Sequence, residues 1–194
     1  TAPKNRWRVT NTLDIIRMLE QKNPRVAIPL SQPIENILPD RFPLDPYLVG
    51  VLLGDGCLTT NTIGICKEDL EVIERCRPPL EEMGYYLHHL PERNTYAIRR
   101  GDTLKETNQH PLKDILVSLG MFGKRSWEKS IPACYMDISV ESRKALLQGL
   151  MDTDGYVREN GHISFSTTSE VMAKQFQQLV WSMGDICKVL PKQK

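Results

Sequence analysis

Two aspartates are placed where carboxylates are costly. Asp55 ends the stretch Leu48-Val-Gly-Val-Leu-Leu-Gly-Asp55-Gly56, and Asp154 ends Leu147-Gln-Gly-Leu-Met-Asp-Thr-Asp154-Gly155, 99 positions later. Each stretch reads as a helix with the carboxylate in its last turn. There the macrodipole is negative and disfavours an anion by about 0.3–1 kcal/mol. A single Asp-Gly pair makes a turn and nothing more. Two at equivalent places call for positive charge nearby, and a divalent cation is the simplest source. Hard cations such as Mg²⁺ take one or two carboxylates, several waters and the phosphate oxygens of a substrate. Metal-assisted phosphodiester hydrolysis is the chemistry that follows.

The helices that carry these acids must bring them together. Gly50 and Gly54 lie four apart on one face, and Gly149 and Thr153 occupy the equivalent places. Small residues at that spacing let two helix backbones approach closely. Leu48 and Leu52, with Leu147 and Met151, can flank the seam. Asp55 and Asp154 would then emerge side by side and repel unless neutralised. Asp152 faces another way, two residues from Asp154, and its counterpart Leu53 is apolar, so it stays outside this constellation.

The likeness continues downstream. Ile63-Gly-Ile-Cys-Lys67 precedes a helical stretch ending in Met83-Gly84, and Ile163-Ser-Phe-Ser-Thr167 precedes one ending in Met183-Gly184. Two equivalent halves are expected. In the first, Asp45 as N-cap and Pro46 as first residue start a helix that runs to Asp55. Gly56 can end it in the left-handed conformation. A strand follows over 63–67, then a helix from Asp69. Pro78-Pro79 should break or kink that helix, at about 3 kcal/mol. Residues 85–90 and 95–100 read as strands around the turn Pro91–Asn94, and His110–Leu119 as a short helix closed by Gly120. In the second half Ser139 caps a helix to Asp154. A strand is expected over 162–167, a helix over 169–183, and the start of another strand over 185–190. A second hairpin and a final helix are not there. Before the repeat, Thr12–Glu20 reads as helical and Ile28–Ile34 as extended.

The two nonamers resemble the signature of the LAGLIDADG family. The first matches at Leu48, Gly50, Asp55 and Gly56, with Leu53 where the family often has Asp. The second matches at Leu147, Gly149, Leu150, Asp152, Asp154 and Gly155. Lys129-Ser-Ile-Pro132 resembles the K-x-I-P block of intein endonucleases. The resemblance covers about residues 43–190. It implies an α+β fold with a pseudo-two-fold axis and two αββαββα-type halves, the second incomplete. The chain then divides into residues 1–44, an extension or linker to a parent intein, 45–133, the first half, and 134–194, a truncated second half. The resemblance further implies Mg²⁺ bound by Asp55 and Asp154, with Mn²⁺ or Ca²⁺ able to substitute for binding. A monomer would cut both strands of a long asymmetric or pseudo-palindromic DNA site. Lys129 would reach the active site and stabilise charge or position the attacking water. On the residues alone, Lys129 is a surface lysine before an X-Pro turn. Thr1-Ala2 and Gln193-Lys194 lack splice-junction residues, which fits an endonuclease region within a larger intein-containing precursor.

The hairpin 85–100 is the candidate DNA ribbon. It carries Arg93, Arg99 and Arg100 with His88 and His89 against one acid, Glu92. A two-stranded ribbon fits the major groove, and arginine suits guanine and phosphate. A charged edge hairpin that resists aggregation reads equally well. Lys124 and Arg125 are further candidates for the DNA backbone. Lys67 falls near the first aspartate, but its counterpart is Thr167, so symmetry lends it no support.

Composition restricts the alternatives. The 194 residues carry a formal net charge of +1, with 40% hydrophobic and 25% charged residues. That charge is weak support for a nucleic-acid binder, though its distribution matters more than its mean. Five cysteines without a C-x-x-C pair point to reduced thiols. No apolar run reaches bilayer length, residues 1–10 hold no signal-peptide core, and a cytoplasmic protein without membrane contact is expected. The competing reading is a non-cleaving nucleic-acid-binding descendant, a maturase or a transcription regulator, on the same fold.

Overall fold

The computed structural model describes residues 8–24, 26–35, 41–101 and 111–191. Thr1, Ala2, His110, Gln193 and Lys194 therefore lie outside the described residues. The chain divides into two compact units, Thr1–Ser31 and Gln32–Lys194. The first holds helix α1 (Thr12–Leu19), capped by Asn11, whose side chain accepts from the Asp14 amide. The expected extended stretch 28–34 forms no regular element.

The second unit carries α2 (Pro46–Asp55), β1 (Gly56–Cys57), β2 (Gly64–Ile65), α3 (Leu70–Glu82), β3 (Tyr85–Leu90), β4 (Thr95–Arg100), α4 (Pro111–Ser118), α5 (Val140–Asp154), β5 (Gly155–Val157), β6 (Ile163–Phe165) and α6 (Glu170–Ser182). All ladders are antiparallel. One sheet runs β1-β2-β4-β3 and the other β5-β6. This is an α+β architecture. The order helix–strand–strand–helix occurs twice, as α2-β1-β2-α3 and α5-β5-β6-α6.

Local chemistry explains the shared order. Asp45 caps α2 by accepting from Leu48 N, with Pro46 in the first turn, and Ser139 caps α5 by accepting from Ser142 N. Gly84 (φ +79°) and Gly184 (φ +84°) follow α3 and α6 in the left-handed region. Each amide returns to the last turn, on Glu81 O and Trp181 O, both at 2.9 Å. A residue with a Cβ would be strained at either place.

At the centre α2 packs on α5. A Cβ on Gly50 would lie 2.5 Å from Leu146 O, and one on Gly149 would run into Tyr47 O. The helix backbones are therefore in contact, as the glycine spacing implies. A Cβ on Gly54 would collide with the Thr153 side chain. Pro46 through Leu53 are all buried, whereas α5 buries Arg143, Leu146, Gly149 and Leu150. Ahead of α2, Tyr135 Oη donates to Leu44 O at 2.8 Å and accepts from Leu44 N at 3.2 Å.

Three expectations need correction. Gly56 is extended (φ −74°, ψ 127°), not left-handed. The chain passes straight from α2 into β1, and Gly56 is small because a Cβ would collide with Leu52 O. Pro78 and Pro79 do not break α3, which continues to Glu82. Val72, Ile73, Cys76 and Leu80 are buried along one face, so tertiary burial outweighs the lost bonds, while Glu74 and Arg75 at the freed carbonyls are exposed. Residues 185–190 form no strand. They have no ladder partner among the described residues. Instead Gln177 Nε2 and Trp181 Nε1 donate to Cys187 O, at 2.9 and 3.2 Å.

Candidate active site

Asp55 and Asp154 are the last residues of α2 and α5. Each is held through its carbonyl by the residue just after the second strand of its repeat, β2 or β6. Cys66 N donates to Asp55 O at 2.9 Å, and Ser166 N donates to Asp154 O at 3.1 Å. The two carboxylates feel one another. Burial, and then the charge of Asp55, hold the Asp154 carboxyl above the usual carboxylate range. Lys129 and Lys67 pull in the opposite direction.

The positive charge that the helix ends call for is partly lysine. Lys129 is 6% exposed. Its Nζ donates to Leu52 O, Gly54 O and Gly56 O at 3.3, 3.2 and 3.1 Å. All three carbonyls are at the negative end of α2, where a cation is favoured. Burial depresses the Lys129 amine, and Asp154 and Asp55 push it back up. Lys67 bridges the two helix ends. Its Nζ lies 3.1 Å from Asp55 Oδ2 and donates to Thr153 O at the end of α5, 3.5 Å away. The sequence undervalued Lys67 by demanding symmetry. The ion pair comes from the strand-end position alone, without help from Thr167.

A cavity of about 590 Å³ opens here, lined by Asp55, Cys66, Lys67, Glu68, Asp69, Arg93, Asn94 and Thr153. Arg93 thus stands over the same hollow as Asp55. A smaller one, about 300 Å³, is lined by residues of β1 and by Lys124, Arg125, Trp127 and Lys129. The Arg125 guanidinium lies 5.4 Å from the Trp127 ring centroid. Arg99 and Arg100 are separated. Their register against Tyr86 and Tyr85 puts them on opposite faces of the hairpin. Arg99 shares its face with His88, Cys66 and Cys57, the face that leads back to Asp55.

Asp152 is accounted for otherwise, as its position suggested. It accepts from Tyr47 Oη at 2.8 Å and lies 3.9 Å from Arg75 Nη1. Arg75 stacks on the Tyr47 ring at 3.7 Å and donates to Gln148 Oε1 at 2.6 Å. This network ties α2 and α3 to α5, and no pattern in the sequence pointed to it.

Among the described residues, no group of three or more His, Cys, Asp or Glu side chains could hold a metal. A carboxylate at each of two neighbouring helix ends, Asp154 raised by burial and by the charge of Asp55, does fit a cation completed by water and phosphate. No described helix is long and apolar enough to cross a membrane.

Residues 141–184 match the LAGLIDADG-like domain. The matched segment runs from the first turn of α5 through β5, β6 and α6, the second of the two repeats. Over 156 residues the chain is 32% identical to the replicative DNA helicase DnaB of Mycobacterium intracellulare, covering 80% of this chain and 22% of that protein. It is 28% identical over 149 residues to DnaB of Nostoc sp., covering 71% of the chain and 17% of that protein. Over 77 residues it is 35% identical to the protein RecA of Mycobacterium tuberculosis, covering 37% of the chain and 10% of that protein. The chain thus spans about a fifth or less of these curated relatives' length.

Proposed function

We propose that this chain is a DNA endonuclease region of the homing type, carried within a host protein as part of an intein. One observation carries the reading. Two helices at equivalent places in the repeated order end on aspartates that share a charge environment with two lysines, beside an open cavity. The LAGLIDADG-like match favours a nuclease, since domains of that kind are generally nucleases. Similarity to short parts of two differently named proteins, DnaB and RecA, is what a segment inserted into unrelated hosts would produce.

In this reading Asp55 and Asp154 hold Mg²⁺, with Mn²⁺ or Ca²⁺ as substitutes for binding. The bound cation would neutralise charge on the scissile phosphate and make a water more acidic. The protein does the rest. The α2–α5 contact fixes the spacing of the two carboxylates. Lys129 and Lys67 hold positive charge at both helix ends as negative charge develops on phosphate. Arg93 is positioned to take a phosphate over the cavity. Arg99 on the open sheet face, with Lys124 and Arg125, would track the duplex, and the register leaves Arg100 the least direct of these contacts. A single chain acts as a monomer on a long, asymmetric or pseudo-palindromic site.

The test is to incubate the protein with a randomised duplex pool and Mg²⁺, then sequence the ends produced. Wild type should release short 3′ overhangs at a recurrent sequence. Asp55→Asn and Asp154→Asn should each abolish double-strand cutting while retaining DNA binding. Cutting by either variant overturns the active-site assignment. Sequence-specific binding by wild type without cutting would favour the regulator or maturase reading instead.

A further inference from the structure

Lys129 reaches the end of α2 from the segment that joins the two repeats, and such a segment has no intrinsic reason to hold still. Residues 124–128 are exposed, and Lys129 lies at the end of the short 3₁₀ turn Ser126–Glu128. Beyond the local bond from Lys129 N to Arg125 O, 3.1 Å, what fixes it comes from α6. Ser169 is 2% exposed. Its Oγ donates to Lys129 O at 2.7 Å while accepting from Met172 N at 3.2 Å. One hydroxyl thus caps α6 and grips the lysine's own carbonyl. Two residues on, Ile131 is gripped twice. Gln175 Nε2 donates to Ile131 O, and Ile131 N donates to Gln175 Oε1, both at 2.8 Å. The side-chain amide imitates a β-bridge, satisfying both polar groups of a residue that is 1% exposed.

We propose that Ser169 and Gln175 are positioning residues: they clamp Lys129–Ile131 to α6 so that the Lys129 ammonium is delivered to the carbonyls of α2, in the field of Asp55 and Asp154. Docking of the second repeat then completes the basic site at the first. The equivalents in the first repeat are put to other use. Asp69 caps α3 on Glu71 N, and Arg75 reaches across to Gln148. The clamp belongs to the second repeat and is not a by-product of the shared fold.

Any effect of the clamp on catalysis rests on the endonuclease reading, whereas the placement of Lys129 does not. The experiment separates them by labelling the metal-free protein with a trace of acetic anhydride and reading each lysine by mass spectrometry. In wild type Lys129 should react slowly and Lys124 fast. In Gln175→Met, which keeps the length but loses both bonds, Lys129 should react about 5- to 30-fold faster, as expected for losing one or two buried hydrogen bonds, with Lys124 and Lys174 unchanged. Ser169→Ala should do the same, and Ser169→Thr, which keeps the hydroxyl, should restore protection. Unchanged Lys129 reactivity in Gln175→Met, or an equal rise at every lysine, overturns the proposal. Where the wild type cuts DNA, Gln175→Met should slow single-turnover cleavage yet add nothing on a Lys129→Met background. Additive losses would mean that Gln175 acts by some other route.

Discussion

The two repeats share an order of elements but differ in what surrounds their motif helices. Helix α2 is buried along nearly its whole length, under α5 on one side and a four-stranded sheet with α3 on the other. Helix α5 keeps an exposed stripe of Glu141, Lys144, Gln148 and Asp152, and its sheet has two strands among the described residues. The acids differ in the same sense. Asp55 is held in an ion pair with Lys67, whereas Asp154 lies at the open end of α5, partly covered about its carboxyl and shifted upward. The first repeat supplies the end of the site whose acid is already paired. The second supplies the more open end.

The seam between the repeats should give the largest effect. Gly50→Val would push carbon into the backbone of α5, 2.5 Å from Leu146 O and 2.9 Å from Gly149 Cα. Backbone cannot yield as a side chain does, so a loss of about 3 kcal/mol or more is expected, read by denaturant unfolding. For Gly54→Ala the nearest atoms belong to the Thr153 side chain. It should cost less, and Thr153→Gly should rescue it. Equal losses at Gly50 and Gly54 would mean that the helices are not in backbone contact.

Lysines come next. Lys129→Met leaves three carbonyls at the end of α2 without their donor. A cost of about 1–3 kcal/mol is expected for such buried groups. Lys67→Met frees one carboxylate that water can reach and one long bond to Thr153 O, so the loss should be smaller. The reverse order in thermal unfolding would break the distinction between the two helix ends.

How far these contrasts were legible from sequence depends on the residue. The caps Asp45 and Ser139, the hairpin 85–100 and the glycine seam follow from local rules, because each is a matter of spacing or backbone geometry. Continuation of α3 through Pro78-Pro79 was not legible. It depends on Val72, Ile73, Cys76 and Leu80 finding a core elsewhere in the chain. Lys67 was undervalued, and Gln175 and the group Tyr47–Arg75–Asp152 were hidden, for a related reason. Their bonds to the other half span 44 to 105 positions, and each departs from the repeat that made Asp55 and Asp154 visible. Internal symmetry locates the shared machinery and conceals what is specific to one half.

The aspartates should respond to neutralisation with opposite signs in metal-free protein. Asp55→Asn strands Lys67, whose side chain is 18% exposed, and should cost about 1 kcal/mol. Asp154→Asn should instead raise the melting temperature at neutral pH. The sign follows from linkage. The native Asp154 holds a proton at pH values where the unfolded chain, near its ordinary 3.8, has released it. The stability from that proton is complete below 3.8 and is lost as pH rises through the raised native value. The gain from Asp154→Asn should therefore shrink as pH falls towards 3.8. A destabilised Asp154→Asn at neutral pH would show that its carboxylate is already satisfied by protein.

The smallest effect separates two neighbours on the hairpin. Arg99 lies on the open face with His88, and Arg100 on the opposite face across from Tyr85. If DNA lies along the open face, Arg99→Ala should lower the slope of log K against log salt by about 1, the loss of one phosphate contact. Arg100→Ala should leave the slope nearly unchanged. Fluorescence anisotropy with Ca²⁺ in place of Mg²⁺ measures this without cleavage. Equal slopes for both variants would mean that the hairpin meets DNA edge-on or not at all. The face that joins Arg99 to Cys57, Cys66 and Asp55 would then have no claim to be the track that leads substrate into the site.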